Sequence, residues 1–431
     1  MKEANNQTGT RVLTRTLPNG LRVVLENRPY APCVSAGLWV GAGSMHETAE
    51  ENGCAHFLEH MAFKSTANRS AGEILLEMDR LGGHVNAFTE KDCTCYYARV
   101  IPAHLDRLLV FFADLLLHPL TQEEELEKER GVILEEIAMC EDNPEDRTGD
   151  LLSRAVFGEA PLGRPILGTA AGIRSLSRET LLCYRGAHYV PGSAVLALCG
   201  NLPEPEAAVE AVGRAFGAWA GQAAPQRDPR PGAQWQPERL CDEGSFEQTH
   251  LSFAWPGPAL DAPQTTEAWV ASMILGEGNS SRLFRRIREE MGAVYNIYSD
   301  VVSYPACGLF SVFAETSPRQ AQKVLDALGE ELEKLVQGGV TAEETDMAKE
   351  QLRIACLLGD ESAEERMTAI GRSLLLRGRV REKEEVLSAI ERVTPEGVNR
   401  LIRETMAQPC ASAFVGRGVA KLKIPGIIRT E

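Results

Sequence analysis

An α+β protein of two like-folded domains is what this sequence predicts, and three observations carry that reading. Strand-like runs alternate with helical runs, which suggests sheet and helix layers. The order of those runs recurs at a period of about 210 residues, as a duplication would leave it. A polar, Pro-rich stretch at 218–237, containing Pro225-Gln226-Arg227-Asp228-Pro229-Arg230-Pro231, separates the two halves. At 431 residues the chain is also too long for one ordinary domain. The expected division is a catalytic domain at 1–217, a linker at 218–237 and a homologous domain at 238–431. Each domain is expected to hold a mainly antiparallel sheet with helices packed on one side.

The elements follow in order. Met1-Lys2-Glu3-Ala4-Asn5-Asn6 has no apolar core, so no signal peptide is expected. Residues 14–25 read as a hairpin around Pro18-Asn19-Gly20, a strong turn signal. A strand at 33–40 ends at Gly41-Ala42-Gly43. A helix at 50–66 follows, with Gly53 allowing close backbone approach. Residues 70–81 form a helix stopped by Gly82-Gly83, 86–100 alternate as a strand, and 102–118 make an apolar helix. Thr121 and Glu124 form a capping box opening a long helix to 142. Helices at 146–157 and 178–188 and a strand at 194–200 complete the first half. Beyond the linker come a strand at 248–255, helices at 266–275 and 280–291, and a hairpin at 294–314. Helices at 318–338 and 341–358 follow.

Composition narrows the function. Apolar content of 44% and charged content of 25% are those of a globular protein. The longest apolar run, 108–117, is short and interrupted by Asp114, so no membrane span is expected. Eleven cysteines, odd in number and without C-x-x-C pairs, favour free thiols in a reducing compartment, and a cytoplasmic location. Cys93 and Cys95 share one strand face and read as packing. A net charge of −16 argues against nucleic-acid and anionic-membrane partners.

Chemistry concentrates in His56-Phe57-Leu58-Glu59-His60. At helical spacing His56 and His60 stack on one face, with Glu59 one position round. Two imidazoles one turn apart can hold a Zn²⁺ ion, and the adjacent carboxylate can take a proton from water. This is the H-x-x-E-H, or inverzincin, order. A catalytic zinc needs a third protein ligand, which leaves a fourth position open to water. The candidate is Glu136, which shares a helix face with Glu129, Val132, Ile133 and Cys140. An acid on an apolar stripe must be paired, protonated or metal-bound. Glu135 lies about 100° round the helix and is the weaker candidate. Most of the charges from Glu123 to Arg130 read as a solvated face.

These residues resemble the pitrilysin/insulinase metallopeptidases, which include the mitochondrial processing peptidases. The resemblance extends through Leu17-Pro18-Asn19-Gly20-Leu21, Asn86-Ala87-Phe88-Thr89, Cys95-Tyr96-Tyr97 and Pro161-Leu162-Gly163-Arg164, and so covers nearly the whole chain. It implies a zinc endopeptidase, with His56, His60 and Glu136 as ligands and Glu59 as general base. Glu129 matches the family acid that orients a ligand. Asn86 and Ala87 match a cleft-edge strand that pairs with extended substrate, a mode that binds peptides through main-chain hydrogen bonds. Arg288 and Tyr295 match a pair that binds substrate and steadies the carbonyl oxyanion. Gly276-Glu277-Gly278-Asn279-Ser280-Ser281 resembles a glycine-rich loop near substrate.

The resemblance implies that substrate is enclosed between two such two-domain halves, often supplied by separate chains, and an enclosed chamber implies short or unfolded peptides. A homodimer or paralogous partner is therefore expected, with Arg288 and Tyr295 serving either their own chain or the partner's metal. The second half lacks H-x-x-E-H, so one zinc per chain follows. His46, His84, His104, His118, His188 and His250 read as structural or surface residues. Ser193 and Met45-His46 depart from the family in loops, outside the metal set. Two other readings stand beside the peptidase: a noncatalytic scaffold or assembly subunit of the same family, and a zinc hydrolase of non-peptide substrates.

Overall fold

The structure is a computed structural model and describes residues 12–221 and 235–429. The N-terminal reading at 1–6 and linker residues 222–234 lie outside the described residues. In the first half, β1 (Val12–Thr16) and β2 (Arg22–Asn27) form the expected hairpin. There follow β3 (Val34–Val40), α1 (Cys54–Ala62), α2 (Ala71–Leu81), β4 (Val85–Thr89), β5 (Thr94–Val100), α3 (Leu105–Leu117) and α4 (Glu123–Asp142). Then come α5 (Pro144–Phe157), α6 (Ala170–Ser175), α7 (Arg178–His188), β6 (Ala194–Gly200) and α8 (Pro205–Phe216). The second half holds β7 (Arg239–Glu243), β8 (Thr249–Gly257), α9 (Thr265–Leu275), β9 (Asn296–Ser303) and β10 (Gly308–Thr316). It closes with α10 (Ala321–Gly338), α11 (Ala342–Gly359), α12 (Ala363–Arg377), α13 (Lys383–Glu391), α14 (Pro395–Met406) and β11 (Ala411–Gly416).

The duplication is written in the strand order. The first sheet runs β1-β2-β6-β3-β5-β4 and the second β7-β11-β8-β10-β9. Each has one parallel pair, β2 with β6 and β7 with β11, and is otherwise antiparallel. Removing β1 superposes the two orders. The chain is thus α+β with two repeated, mainly antiparallel sheets.

Contacts divide the chain into two units. One comprises 12–133, 171–221 and Leu358–Arg381; the other comprises Leu134–Ala170, 235–357 and 382–429. Each unit therefore takes one helical segment from the opposite half of the chain. In the first unit α12 covers the sheet face that carries Trp39, Cys95, Val195 and Ala197, through Met367, Ile370 and Leu374. In the second, α5 packs on β11 and β8. Besides the helices of its own half, each sheet thus takes cover from the opposite half of the chain. Strands β3 and β6 are buried along their whole length, which requires cover on both faces. Polar contacts hold α12 in place: Arg366 pairs with buried Glu26 at 2.7 Å, and Arg22 Nη1 donates to the Leu374 carbonyl at 2.9 Å. Gly371 is required there, since a Cβ would come within 2.4 Å of Trp39 Nε1.

Other differences have local causes. Residues 86–100 make two strands, because Glu90 to Cys93 turn, with Glu90 N–H donating to the Cys93 carbonyl at 2.8 Å. The capping box at Thr121–Glu124 does not form. Thr121 adopts φ 48°, outside the helix, and its carbonyl accepts from Arg178 Nε at 2.6 Å. The expected helix at 280–291 is a π-helix over Phe284–Glu290, a form that often marks functional segments. Strand β7 went unread because its alternation is charged and half-exposed. Among the described residues no helix is long and apolar enough to cross a membrane. All eleven cysteines are free thiols.

Candidate metal centre

The helix that presents His56 and His60 starts under tight control. Gly53 precedes it at φ 99°, a left-handed conformation that costs a side-chain-bearing residue about 1–2 kcal/mol. Its first amides are satisfied from outside the helix. Buried Glu47, 1% exposed, accepts from Asn52 Nδ2 at 3.0 Å, Gly53 N at 2.9 Å and Ala55 N at 2.8 Å. A carboxylate at this end also complements the helix dipole. The acidic residues at 50–51 signalled the helix in sequence, but Glu47 is the residue that caps it. Seven side chains of α1 are buried, among them His56, while Glu59 and His60 stay partly open. The two imidazole centroids stand 4.7 Å apart, as residues one turn apart should.

The loop before α1 carries a pH-sensitive group. His46 Nδ1 accepts from Gly43 N at 3.1 Å, and its ring lies 6.2 Å from that of His188. Burial, then the neighbouring His188, pulls its pKa from 6.5 down to about 4. The folded chain therefore holds His46 neutral where the unfolded chain would protonate it. Its contribution is complete above pH 6.5 and is lost as pH falls toward 4, about 3 kcal/mol in all. Denaturant unfolding at pH 7.5 and 4.5 should show the wild type losing more stability than His46→Gln over that interval. Equal losses would remove His46 as the source.

His60 is held from behind. Its Nδ1 lies 3.3 Å from Glu129 Oε2, and Lys64 Nζ lies 2.6 Å from Glu129 Oε1. Glu129 is 8% exposed, and a buried carboxylate needs such partners. A proton on Nδ1, directed at the carboxylate, leaves Nε2 with its lone pair for a metal. Lys64 was not singled out in the sequence. Its one signal was a position four beyond His60, just past the end of α1.

On α4 the two neighbouring acids are placed differently. Glu135 is exposed, whereas Glu136 offers an oxygen to a cluster with His56 and His60 in which one donor atom from each lies within 4.8 Å of the others. The buried stripe expected around Glu136 is only partly present: Ile133 is fully buried, but Val132 is 50% exposed. Tetrahedral zinc with bonds of about 2.0–2.2 Å puts its donors roughly 3.3–3.6 Å apart, a spacing inside the 4.8 Å within which these donor atoms lie. Two imidazoles and one carboxylate are a catalytic zinc donor set. The residues present fit the ion.

Glu59 points its carboxylate toward β4, where Thr89 Oγ1 donates to Oε2 at 2.7 Å. Sequence reasoning passed over Thr89, though it lies inside the quoted Asn86-Ala87-Phe88-Thr89. Asn86 is exposed on β4, the edge strand of its sheet, and Ala87 is buried beside it. Arg288 is exposed at the end of the π-helix, its guanidinium 4.7 Å from the Phe284 ring centroid. Tyr295 is 73% exposed, its backbone N–H donating to the Glu315 carbonyl at 3.1 Å. A second acidic group, Glu90, Asp92 and Cys93, also has metal-like spacing. There Arg372 pairs with Glu90 at 2.5 Å and Asp92 at 3.1 Å, and burial holds the Cys93 thiol protonated well above its usual range. A guanidinium already neutralises that cluster.

Comparison with known proteins places the chain in a family. The family model described as Insulinase (Peptidase family M16) matches residues 22–170, and that described as Peptidase M16 inactive domain matches 175–352. The protein named Uncharacterized zinc protease YmxG of Bacillus subtilis is 37% identical over 93% of this chain and 97% of its own. Uncharacterized zinc protease Rv2782c of Mycobacterium tuberculosis is 37% identical over 96% and 95% respectively. Among solved structures, a protease from Helicobacter pylori matches with a TM-score of 0.87 at 21% identity, covering 94% of this chain and 99% of that one. A Pseudomonas fluorescens structure titled as a peptidase M16 inactive domain matches with a TM-score of 0.85 at 22% identity, covering 94% and 98%.

Proposed function

This chain belongs to the insulinase peptidases, family M16, and from that premise we propose that it is a zinc-dependent endopeptidase acting on short or unfolded peptides. The observation that carries the reading is the convergence, within 4.8 Å, of donor atoms of His56 and His60 on α1, the helix that also bears Glu59, with one of Glu136 on α4. Bound zinc supplies Lewis acidity, which acidifies water and polarises a peptide carbonyl. Glu59 takes the proton from the attacking water and hands it to the leaving amine. Glu129, itself held by Lys64, keeps the His60 ring oriented. The open edge of β4 at Asn86 and Ala87 pairs with an extended substrate backbone, which accepts many sequences because main-chain groups do the binding.

Arg288 and Tyr295 complete the proposal as donors to the developing oxyanion. Their exposure suits groups that meet a ligand. We assign them to the metal of a second copy or a paralogous partner, two chains enclosing one chamber. A Glu59→Gln chain and an Arg288→Ala chain, each impaired alone, should regain activity when mixed. Mixtures no better than their parents would mean that the pair does not act across chains.

The proposed activity is tested by digesting a library of unstructured peptides, with and without chelator, and mapping products by mass spectrometry alongside elemental analysis. One zinc per chain and chelator-sensitive internal cleavage are expected. Zinc without any peptide cleavage would leave a metal-binding scaffold.

A further inference from the structure

Glu59 requires a defined carboxylate orientation to serve as a base, and α1 alone does not provide it: a glutamate has three side-chain torsions, and Glu59 is only partly buried. The proton arrangement around Thr89 is informative. Thr94, fully buried at the opposite register position on β5, donates its hydroxyl to the Ala42 carbonyl at 2.8 Å. Thr89 and Thr94 oxygens are 3.4 Å apart, while Thr89 Oγ1 and Glu59 Oε2 are 2.7 Å apart. With the Thr94 proton committed to Ala42, the one proton of Thr89 goes to Glu59.

The geometry points to Thr89 as the positioning residue for the general base, holding Glu59 by Oε2 so that Oε1 faces the attacking water. This rests on the peptidase reading above and deepens it. The bond survives the proton cycle. Oε1 gains a proton from water and later gives it to the leaving amine nitrogen, while Oε2 accepts from Thr89 throughout and Thr89 keeps its own proton. Threonine suits the task because a β-branched side chain in a strand has a restricted χ1. Thr89 is also the last residue of β4, braced by the Glu90–Cys93 turn. Asn86 lies on the same strand, roughly 10 Å away at about 3.3 Å per residue. One strand would thus pair with substrate at Asn86 and set the base at Thr89, so docking and chemistry share a rigid ruler.

The test compares wild type, Thr89→Val and Thr89→Ser on an unstructured peptide, with zinc content and thermal midpoint measured for each. Zinc-free Thr89→Val is also crystallised. Thr89→Val should lose about 10–100-fold in kcat with KM nearly unchanged, as removal of an orienting hydrogen bond does, and zinc and midpoint should hold. Thr89→Ser should recover most of the loss. The Glu59 carboxylate should leave its wild-type rotamer in the zinc-free Thr89→Val crystals. Full kcat in Thr89→Val, an unmoved Glu59, or a loss that Thr89→Ser does not repair overturns the assignment. A wild type that cleaves nothing chelator-sensitively would instead defeat the peptidase reading, with the rotamer in the zinc-free crystals still deciding the role of Thr89.

Discussion

Glu59→Gln is expected to keep one zinc per chain while losing roughly 10²–10⁴-fold in kcat, the usual share of a general base. The substitution is nearly isosteric and touches none of the three donor atoms of the cluster. The amide retains an oxygen that can accept from Thr89, so the side chain keeps its place. What it loses is the ability to take a proton. Substrate binding should persist, because the β4 edge and Asn86 are unaltered, and KM should move little. Elemental analysis, peptide turnover and a binding measurement with an uncleaved peptide would separate the three effects. Turnover within tenfold of wild type would remove Glu59 as the base. Loss of zinc would mean that Glu59 belongs to the ligand set.

Much of this site was legible in sequence because helical periodicity is local. His56 and His60 share a face by spacing alone, and the strand order of the second sheet follows from a repeat that the chain displays in order. What stayed hidden depends on contacts between distant segments. Glu47 caps α1 from across a loop, Thr89 reaches Glu59 from another strand, and α12 covers a sheet built almost entirely from the other half of the chain. No periodicity encodes such pairings. The boundary errors have the same origin: Thr121 had the composition of a cap, but Arg178, far along the chain, engages its carbonyl while the backbone takes a left-handed turn. Residues 86–100 read as one strand because alternation continued on both sides of a short polar turn that only pairing reveals.

The choice of third ligand leads to the remaining large effect. Glu135 and Glu136 are adjacent, equally acidic and separated only by the turn of a helix. The structure exposes Glu135 and brings Glu136 to the two imidazoles. Glu136→Gln should therefore release the metal, because a neutral amide is a much poorer partner for a divalent cation than a carboxylate. Turnover should fall with it by more than about 10³-fold, since the Lewis acid and the activated water leave together. Glu135→Gln removes the same charge from the same helix and should retain both zinc and activity. The paired design controls for net charge, helix propensity and expression, leaving position as the only variable. The readout is zinc stoichiometry after dialysis, supported by thermal midpoints with and without added zinc, because an ion that binds only the folded state raises its stability. A Glu136→Gln protein that holds stoichiometric zinc, or a Glu135→Gln protein that loses it, would reassign the ligand set. Glu129 then becomes the next acid to examine, since it already contacts His60 and would need only to exchange Lys64 for the metal.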